Sequence, residues 1–167
     1  EVGIVKTLRP DTRWVRALYV PPGEDLTAGR LGTAPARLST ENRMNRAGSP
    51  MFYGAEDIAT ATAEIGPPPA GMSLITGIWV ATRPLVVLDL VDLGEAPDFY
   101  DWERAWLRWR LQFLADFAAD VSKPVADHTR SEYRPTQLLM EFVRSRHPNI
   151  DGIVYRSSRT GRRCCAI

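Results

Sequence analysis

The residues best suited to chemistry in this sequence lie between Arg43 and Glu64. Arg43 and Arg46 fall in a segment rich in Gly, Pro, Ser, Thr and Asn, which runs from residue 21 to residue 50 without sustained periodicity. Irregular segments of that length are uncommon inside compact domains unless they serve a function. Arginine suits bidentate recognition of phosphate, Tyr53 offers an aromatic face, and Glu64 offers a carboxylate. This segment is therefore the first candidate for a functional site.

Glu64 closes a short predicted helix. Ile58, Ala61 and Ile65 recur at helical spacing, and Gly66 followed by three prolines ends the helix. We expect Ala61 and Ile65 to face the core, which places Glu64 near the edge of the apolar stripe. A single glutamate there is more often a solvated residue than a catalytic one, so spacing alone leaves both interpretations open.

The other elements follow from periodicity and turn residues. The order of elements does not show regular strand–helix–strand alternation, which argues against a doubly wound parallel sheet. It favours an α+β domain around a mixed, mostly antiparallel sheet with flanking helices. We predict strands at about 14–20, 51–54, 73–81, 85–90, 153–155 and 164–167, and helices at about 56–65, 97–119 and 136–147.

The strongest helix signal lies between residues 97 and 119. Trp102, Trp106, Trp109, Phe113 and Phe117 recur there every three or four residues. A stripe sustained over five turns is typical of packing. We therefore predict that it packs in the core or against another helix, in preference to stacking on a ligand.

The composition is that of an ordinary globular chain, with 44% hydrophobic and 25% charged residues. A net charge of +1 argues against broad nucleic-acid binding, which needs a concentrated basic face. The longest apolar run is far too short to span a bilayer, so no membrane partner is expected. Of the 21 basic residues only Lys6 and Lys123 are lysines, a bias that either codon usage or phosphate recognition explains.

The two cysteines, Cys164 and Cys165, are adjacent. Neighbouring residues of a strand point to opposite faces, so a disulfide or a shared metal between them is not expected. With two histidines and no zinc-binding spacing, we predict no metal site. Because the chain begins at Glu1 instead of Met, we expect a longer parent chain.

The segment that contains Arg43 resembles the RES domain family. The hallmark of that family is Arg-x-Asn-x-x-Gly followed by Tyr-x-[Ala/Ser], and here Arg43, Asn45, Gly48 and Tyr53 occupy these positions. One helix later the family has Ala-x-x-Glu, which places its glutamate on Glu64.

A further block of the same family matches near the C-terminus. It comprises Tyr133 to Gln137 and, after a helix, residues 151–158. The family serine falls on Ser157, with the adjacent Ser158 as a rival. The blocks occur in family order over about residues 14–167, so we expect residues 1–167 to form a single RES-like domain.

The resemblance implies both a fold and an activity. RES domains are similar in fold to ADP-ribosyltransferases, and characterised members are toxins that act on NAD. Some degrade it by hydrolysis or phosphorolysis, and others ADP-ribosylate a protein. We therefore expect NAD as the substrate with no separate cofactor, an antitoxin or immunity protein as partner, and action in the cytoplasm. Delivery as a secreted effector is compatible with this expectation.

The resemblance also suggests roles for the matching residues. Nicotinamide leaves NAD through an oxocarbenium-like transition state. Glu64 would stabilise the developing charge and hold the ribose 2′-hydroxyl, while Tyr53 would stack on the pyridinium. Arg43 would bind the pyrophosphate or ribose, and Ser157 would orient Glu64 or donate to the ribose. Arg16, on the first predicted strand, matches a family tendency for arginine and joins the binding set.

Alternatives to these roles remain open at the level of sequence. Arg43 is also compatible with pinning the loop, Tyr53 with a plain core position, and Ser157 with a strand-end hydroxyl. Arg46 and Gln137 are undecided between site and scaffold. The leading function is cleavage of the nicotinamide–ribose bond by an NAD glycohydrolase or phosphorylase. Protein ADP-ribosylation and a non-catalytic NAD-binding module are the two competing functions.

Overall fold

The computed structural model describes residues 3–24, 27–123 and 133–167. Within these ranges the chain forms one seven-stranded sheet and three α-helices. The sheet order is β1-β5-β6-β7-β3-β2-β4, and within it only β5 and β6 run parallel. The predicted α+β class with a mixed, mostly antiparallel sheet is confirmed. The strands are β1 Val5–Leu8, β2 Arg13–Val20, β3 Tyr53–Ala55, β4 Ser73–Val80, β5 Leu85–Asp89, β6 Gly152–Arg156 and β7 Arg163–Ala166, and the helices are α1 Ile58–Ile65, α2 Ala105–Ser122 and α3 Arg134–Arg146.

One strand and the start of one helix differ most from the sequence prediction. Strand β1 was not predicted; it has four residues, and its pairing with β5 from Val5 opposite Leu88 depends on tertiary contact. Helix α2 begins at Ala105 and not at residue 97. The carboxylates of Asp98 and Asp101 accept hydrogen bonds from main-chain N–H groups two and three residues later. Such local turns compete with helix formation.

The main core lies on one face of the sheet and receives a residue from each helix. Ala61 of α1, Val121 of α2 and Met140 of α3 are buried in it. A smaller cluster around Trp14 and Val87 covers the other face. Cys164 belongs to the first cluster and Cys165 to the second, and both are free, as the alternation of strand residues predicts.

The prediction that the aromatic stripe packs in the core is wrong for most of its members. Trp106 is 47% exposed and Trp109 78% exposed. Helix α2 instead buries Leu111 and Val121, with Leu114 packed partly against the main core. The aliphatic side of the helix therefore faces the sheet, and the aromatic side faces outward. No helix among the described residues is long and apolar enough to cross a membrane.

A buried carboxylate holds the sheet together near the end of β5. Asp89 is 1% exposed and forms ion pairs with Lys6 of β1 at 3.1 Å and Arg163 of β7 at 2.6 Å. Burial alone would raise its pKa. Hydrogen bonds from the Val91 N–H and Lys6, together with the Arg163 charge, outweigh that effect and lower the pKa of Asp89. Asp89 thus links strands that are separated in the sheet.

We expect Asp89→Asn to lower the free energy of unfolding at pH 7 by about 2–3 kcal/mol, because Lys6 and Arg163 lose their buried charge partner and keep only the exposed carboxylate of Asp92. Denaturant titration of both proteins measures this loss. A carboxylate with a lowered folded-state pKa stabilises the fold above its unfolded pKa of about 3.9 and loses that effect as the pH falls. The difference between the two proteins should therefore shrink below about pH 4, and a constant difference would contradict this role.

Candidate active site

Four of the six predicted site residues, Arg16, Arg43, Tyr53 and Glu64, line a polar cleft beside β2 and β3. The two strands pair at a single position, Val15 opposite Ala55. The cleft has a volume of about 600 Å³, within the usual range for ligand sites. Its lining includes Val15–Leu18, Asn42, Arg43, Tyr53–Ala55, Ala61, Glu64–Pro67, Tyr133, Tyr155, Ser158, Arg159 and Cys164.

Helix α1 presents Glu64 to the cleft from its last turn. The helix begins after Asp57, whose side chain accepts a hydrogen bond from the Thr60 N–H at 2.7 Å. It ends at Gly66, which has a φ of 75° that favours glycine. The Tyr19 hydroxyl of β2 donates to the Gly66 carbonyl at 2.9 Å. Both ends of the helix are thereby held. Contrary to prediction, Ile65 is 37% exposed and does not face the core.

Ser157 binds the Glu64 carboxylate from outside the cleft. Its hydroxyl donates to Glu64 Oε1 at 2.5 Å and accepts from the N–H groups of Arg159 and Thr160 at 3.1 and 3.2 Å. A serine hydroxyl has one donor and two acceptor positions, and all three are used here. The side chain is buried and does not line the cleft, whereas Ser158 does. This geometry suits Ser157 to orienting Glu64 and leaves it no hydrogen bond for a ligand.

Two further contacts join α1 and the segment just before it to the turn between β6 and β7. The hydroxyls of Thr60 and Thr160 lie 3.1 Å apart, and Arg162 forms an ion pair with Glu56 at 3.3 Å. Together with the Ser157–Glu64 hydrogen bond, these contacts make three connections between the helix region and the turn. The position of the carboxylate therefore depends on both elements.

Tyr53 uses its hydroxyl to order the loop before β3. The hydroxyl donates to Asn45 Oδ1 at 2.7 Å and accepts from the Met44 N–H at 3.1 Å. The Asn45 amide in turn donates to the carbonyls of Thr40 and Arg46, each at 3.0 Å. Burial raises the pKa of Tyr53, so the phenol stays neutral. What remains for a ligand is the face of the ring.

Arg43 lies where the loop meets the end of α2. Its Nη1 donates to the carbonyls of Val121 and Asp120 in the last turn of that helix. A cation there satisfies unpaired carbonyls and is favoured by the helix dipole. The guanidinium carbon also lies 5.9 Å from the centroid of the Tyr133 ring. Among the described residues, Nε and Nη2 have no hydrogen-bond partner and are free for an anionic group.

The first turn of α3 binds the same loop, at residues 42–45, through side-chain hydrogen bonds. The buried amide of Gln137 donates to the carbonyls of Asn42 and Asn45 at 2.8 and 3.2 Å. Thr136 donates to the carbonyl of Arg43 at 2.5 Å. Gln137 is therefore scaffold and not cleft lining. Sequence reasoning did not assign a role to Asn45 or Thr136, although both lie inside the matching blocks.

The two other arginines of the predicted set have different positions. Arg16 lines the cleft, donates to the Gly32 carbonyl at 2.6 Å and lies 5.5 Å from the Phe52 ring centroid. Burial lowers its pKa. Arg46 lies outside the cleft, where it forms an ion pair with Glu141 at 2.8 Å. The fold thus brings together Arg16, Arg43, Tyr53 and Glu64 but not Arg46.

Tyr155 and Cys164 form the base of the cleft, a position that the sequence did not reveal. Burial raises the pKa of Tyr155, and burial near Glu64 raises the pKa of Cys164 to about 12. A thiol with that pKa is not a thiolate at neutral pH, so Cys164 is not an activated nucleophile. Within the described residues, no group of three or more His, Cys, Asp or Glu side chains could hold a metal ion.

A comparison with protein families agrees with this geometry. A family model described as RES domain matches residues 13–167. The chain belongs to the RES domain family. The resemblance predicted from the sequence motifs is therefore confirmed, and the match includes every cleft residue named above. A search of curated proteins gave no match.

The three hydrogen bonds of Ser157 predict strong coupling with Glu64. We expect Ser157→Ala to lower the free energy of unfolding by about 1–3 kcal/mol, because the Glu64 carboxylate loses a donor and the N–H groups of Arg159 and Thr160 lose their acceptor. Ser158→Ala should change it by less than about 0.5 kcal/mol. A double-mutant cycle of Ser157→Ala with Glu64→Ala should give a coupling energy of about 1 kcal/mol, measured by denaturation. Additive effects would show that the two side chains do not interact in solution.

Proposed function

We propose that this RES domain cleaves the bond between nicotinamide and ribose in NAD. RES membership is consistent with an NAD-acting enzyme in general. The observation that carries the more specific proposal is the Glu64 carboxylate, which Ser157 holds at the wall of a polar cleft beside an aromatic ring and two arginines. In this reaction NAD is the substrate, and no separate cofactor takes part.

The chemistry requires little besides charge stabilisation and orientation. The C1′–N bond breaks, its electron pair leaves with nicotinamide, and the ribose carbon acquires oxocarbenium character. The positive pyridinium ring becomes neutral nicotinamide, so no general acid is needed. Water or phosphate then adds to C1′, and the proton lost by the acceptor passes to solvent. The protein must stabilise positive charge at the ribose and hold the two ends of NAD.

Glu64 is suited to the ribose end. Ser157 occupies Oε1, while Oε2 has no hydrogen-bond partner among the described residues. The free oxygen can accept a hydrogen bond from the ribose 2′-hydroxyl and lie close to the developing charge. Because α1 is held at both ends, the carboxylate needs no rearrangement when the charge appears.

Tyr53 and Arg43 are suited to the pyridinium and the pyrophosphate. The Tyr53 hydroxyl is committed to the loop, so stacking on the ring face is the interaction available to a ligand. Arg43 retains two donor nitrogens beside the one bound to α2. Arg16 and Arg159 line the same cleft and add positive charge for a dianionic pyrophosphate.

The acceptor for ADP-ribose separates the leading function from its main competitor. Hydrolysis and phosphorolysis need only a small acceptor, whereas ADP-ribosylation needs a docked protein. We propose hydrolysis or phosphorolysis, because each cleft residue described above is assigned to a part of NAD itself. A toxin of this kind would act in the cytoplasm, where NAD is available, and an antitoxin or immunity protein that covers the cleft would block it.

We expect Glu64→Gln to reduce nicotinamide release about 10²- to 10³-fold, as removal of a transition-state stabilising group does elsewhere. The assay follows NAD consumption by the purified chain with and without phosphate and identifies the ADP-ribose product. Glu141→Gln, on an exposed ion pair outside the cleft, is the matched control and should retain activity. If the wild-type chain leaves NAD unchanged in both buffers, the proposal fails. NAD binding without turnover would favour a binding module, and label transfer to a protein would favour a transferase.

Two substitutions at Tyr53 separate its ring from its hydroxyl. Tyr53→Phe keeps the stacking face, so KM for NAD should stay within about twofold while stability falls by about 1 kcal/mol. Tyr53→Ala removes the face and should raise KM by roughly fivefold to tenfold, in line with about 1 kcal/mol of cation–π energy. Steady-state kinetics and thermal unfolding measure both effects. An equal rise in KM for both variants would indicate that the hydroxyl, not the ring, serves the substrate.

A further inference from the structure

The floor of the polar cleft is a row of side chains that crosses four strands. Tyr155 of β6 lies opposite Cys164 of β7. Cys164 in turn lies opposite Ala55 of β3, and Ala55 lies opposite Val15 of β2. Residues directly opposite each other in a sheet present their side chains to the same face, and all four line the cleft. The row is therefore apolar or weakly polar except at its Tyr155 end.

The Tyr155 hydroxyl is a hydrogen-bonding group on this floor that no other described group of the protein uses. The residue is 8% exposed, and its hydroxyl forms no hydrogen bond within the described part of the chain. Among the described residues, Trp14 Nε1 is the one side-chain polar atom that is fully enclosed without a partner. The Tyr155 oxygen therefore opens onto the cleft. Because buried tyrosine hydroxyls usually have a partner, this one is available to a ligand.

Tyr155 lies beside the carboxylate of Glu64. Tyr155 and Ser157 are two residues apart, and the Ser157 N–H continues the β6–β7 ladder by donating to the Arg162 carbonyl at 2.7 Å. The side chains of Tyr155 and Ser157 therefore point to the same face of the sheet, with their Cα atoms about 7 Å apart. Since Ser157 binds Glu64 Oε1 at 2.5 Å, the carboxylate lies over the Tyr155 end of the floor.

The Tyr155 hydroxyl is a neutral donor at physiological pH. Burial, together with the neighbouring Cys164 and Glu64, raises the pKa of Tyr155 well above its ordinary value. A protonated phenol donates one hydrogen bond and also accepts. It can therefore bind the oxygen of a sugar hydroxyl without placing a second negative charge beside Glu64.

We propose that Tyr155 is a further substrate-binding residue, which donates a hydrogen bond to the 3′-hydroxyl oxygen of the nicotinamide ribose. This inference rests on the proposed cleavage of NAD, in which Glu64 accepts from the 2′-hydroxyl. The two hydroxyls of a ribose lie on neighbouring carbons and on the same side of the ring, so a donor beside Glu64 is suited to the second one. The carboxylate and the phenol would then fix the ribose at two points while the C1′–N bond breaks.

Tyr155→Phe removes the hydroxyl and keeps the ring in the core. The value of kcat/KM for NAD should fall about fivefold to tenfold, the effect of one neutral hydrogen bond. The midpoint of thermal unfolding should stay within about 2 °C, because no described protein group loses a partner. Tyr100→Phe, at an exposed tyrosine outside the cleft, is the matched control and should change neither quantity. A wild-type kcat/KM, or a loss of thermal stability that accounts for the lost activity, would contradict the inference.

An NAD analogue that lacks the 3′-hydroxyl of the nicotinamide ribose tests which substrate atom Tyr155 contacts. The wild-type chain should cleave the analogue with a kcat/KM about fivefold to tenfold below that for NAD. Tyr155→Phe should add no further loss, because its missing hydroxyl has no partner on the analogue. If the two proteins differ on the analogue as much as they do on NAD, the assignment to the 3′-hydroxyl is wrong.

Binding of ADP-ribose separates this inference from the proposed reaction, because ADP-ribose retains the ribose hydroxyls and its binding needs no turnover. Isothermal titration calorimetry should give a Kd for Tyr155→Phe about fivefold to tenfold above that of the wild type. If this difference is found but the wild type leaves NAD unchanged, cleavage fails and the role of Tyr155 stands. If the wild type cleaves NAD and both proteins bind ADP-ribose equally, the role of Tyr155 alone fails. A wild type that neither binds ADP-ribose nor consumes NAD would overturn both.

Discussion

The short strand β3 is the constraint on which the rest of the molecule depends. With three residues it pairs with β7 along its whole length but with β2 only at Ala55. A Cβ atom at Gly54 would come within 2.9 Å of the Phe52 ring and of Trp14 Cβ, so the strand passes where no side chain fits. Because β2 is joined at one position, the sheet continues across the molecule and still leaves room for a cleft.

Most polar groups around that cleft already form hydrogen bonds with other groups of the protein. Asn45 and Gln137 order the loop, and Ser157 has no hydrogen-bonding capacity left after binding Glu64 and two main-chain amides. The groups that remain available include a ring face, one carboxylate oxygen and part of a guanidinium. This division is what preorganisation requires, because a site that is already ordered does not reorganise when charge develops.

Arg43 connects the cleft with the outward side of the molecule. Its guanidinium is bound to the carbonyls of Val121 and Asp120, so the position of α2 affects the position of the arginine. The same helix exposes Trp109 on the opposite side. A partner that holds the helix would therefore act on a residue of the cleft through one rigid element, without a change in the core.

Motif and periodicity determined the family, the α+β class and the short helix that carries Glu64, because these depend on local spacing. They also separated Cys164 from Cys165, since alternation along a strand is a local property. They did not determine β1, whose four residues become a strand only through β5, nor the outward direction of Trp106 and Trp109. Helical spacing shows which residues lie on the same side of a helix, but it does not show which side will pack against the sheet. In α2 the aliphatic side packs against the sheet. Tertiary structure decided which of the two predicted partners Ser157 binds, Glu64 or a ligand, and that Arg46 lies outside the cleft, because both depend on contacts between segments far apart in the chain.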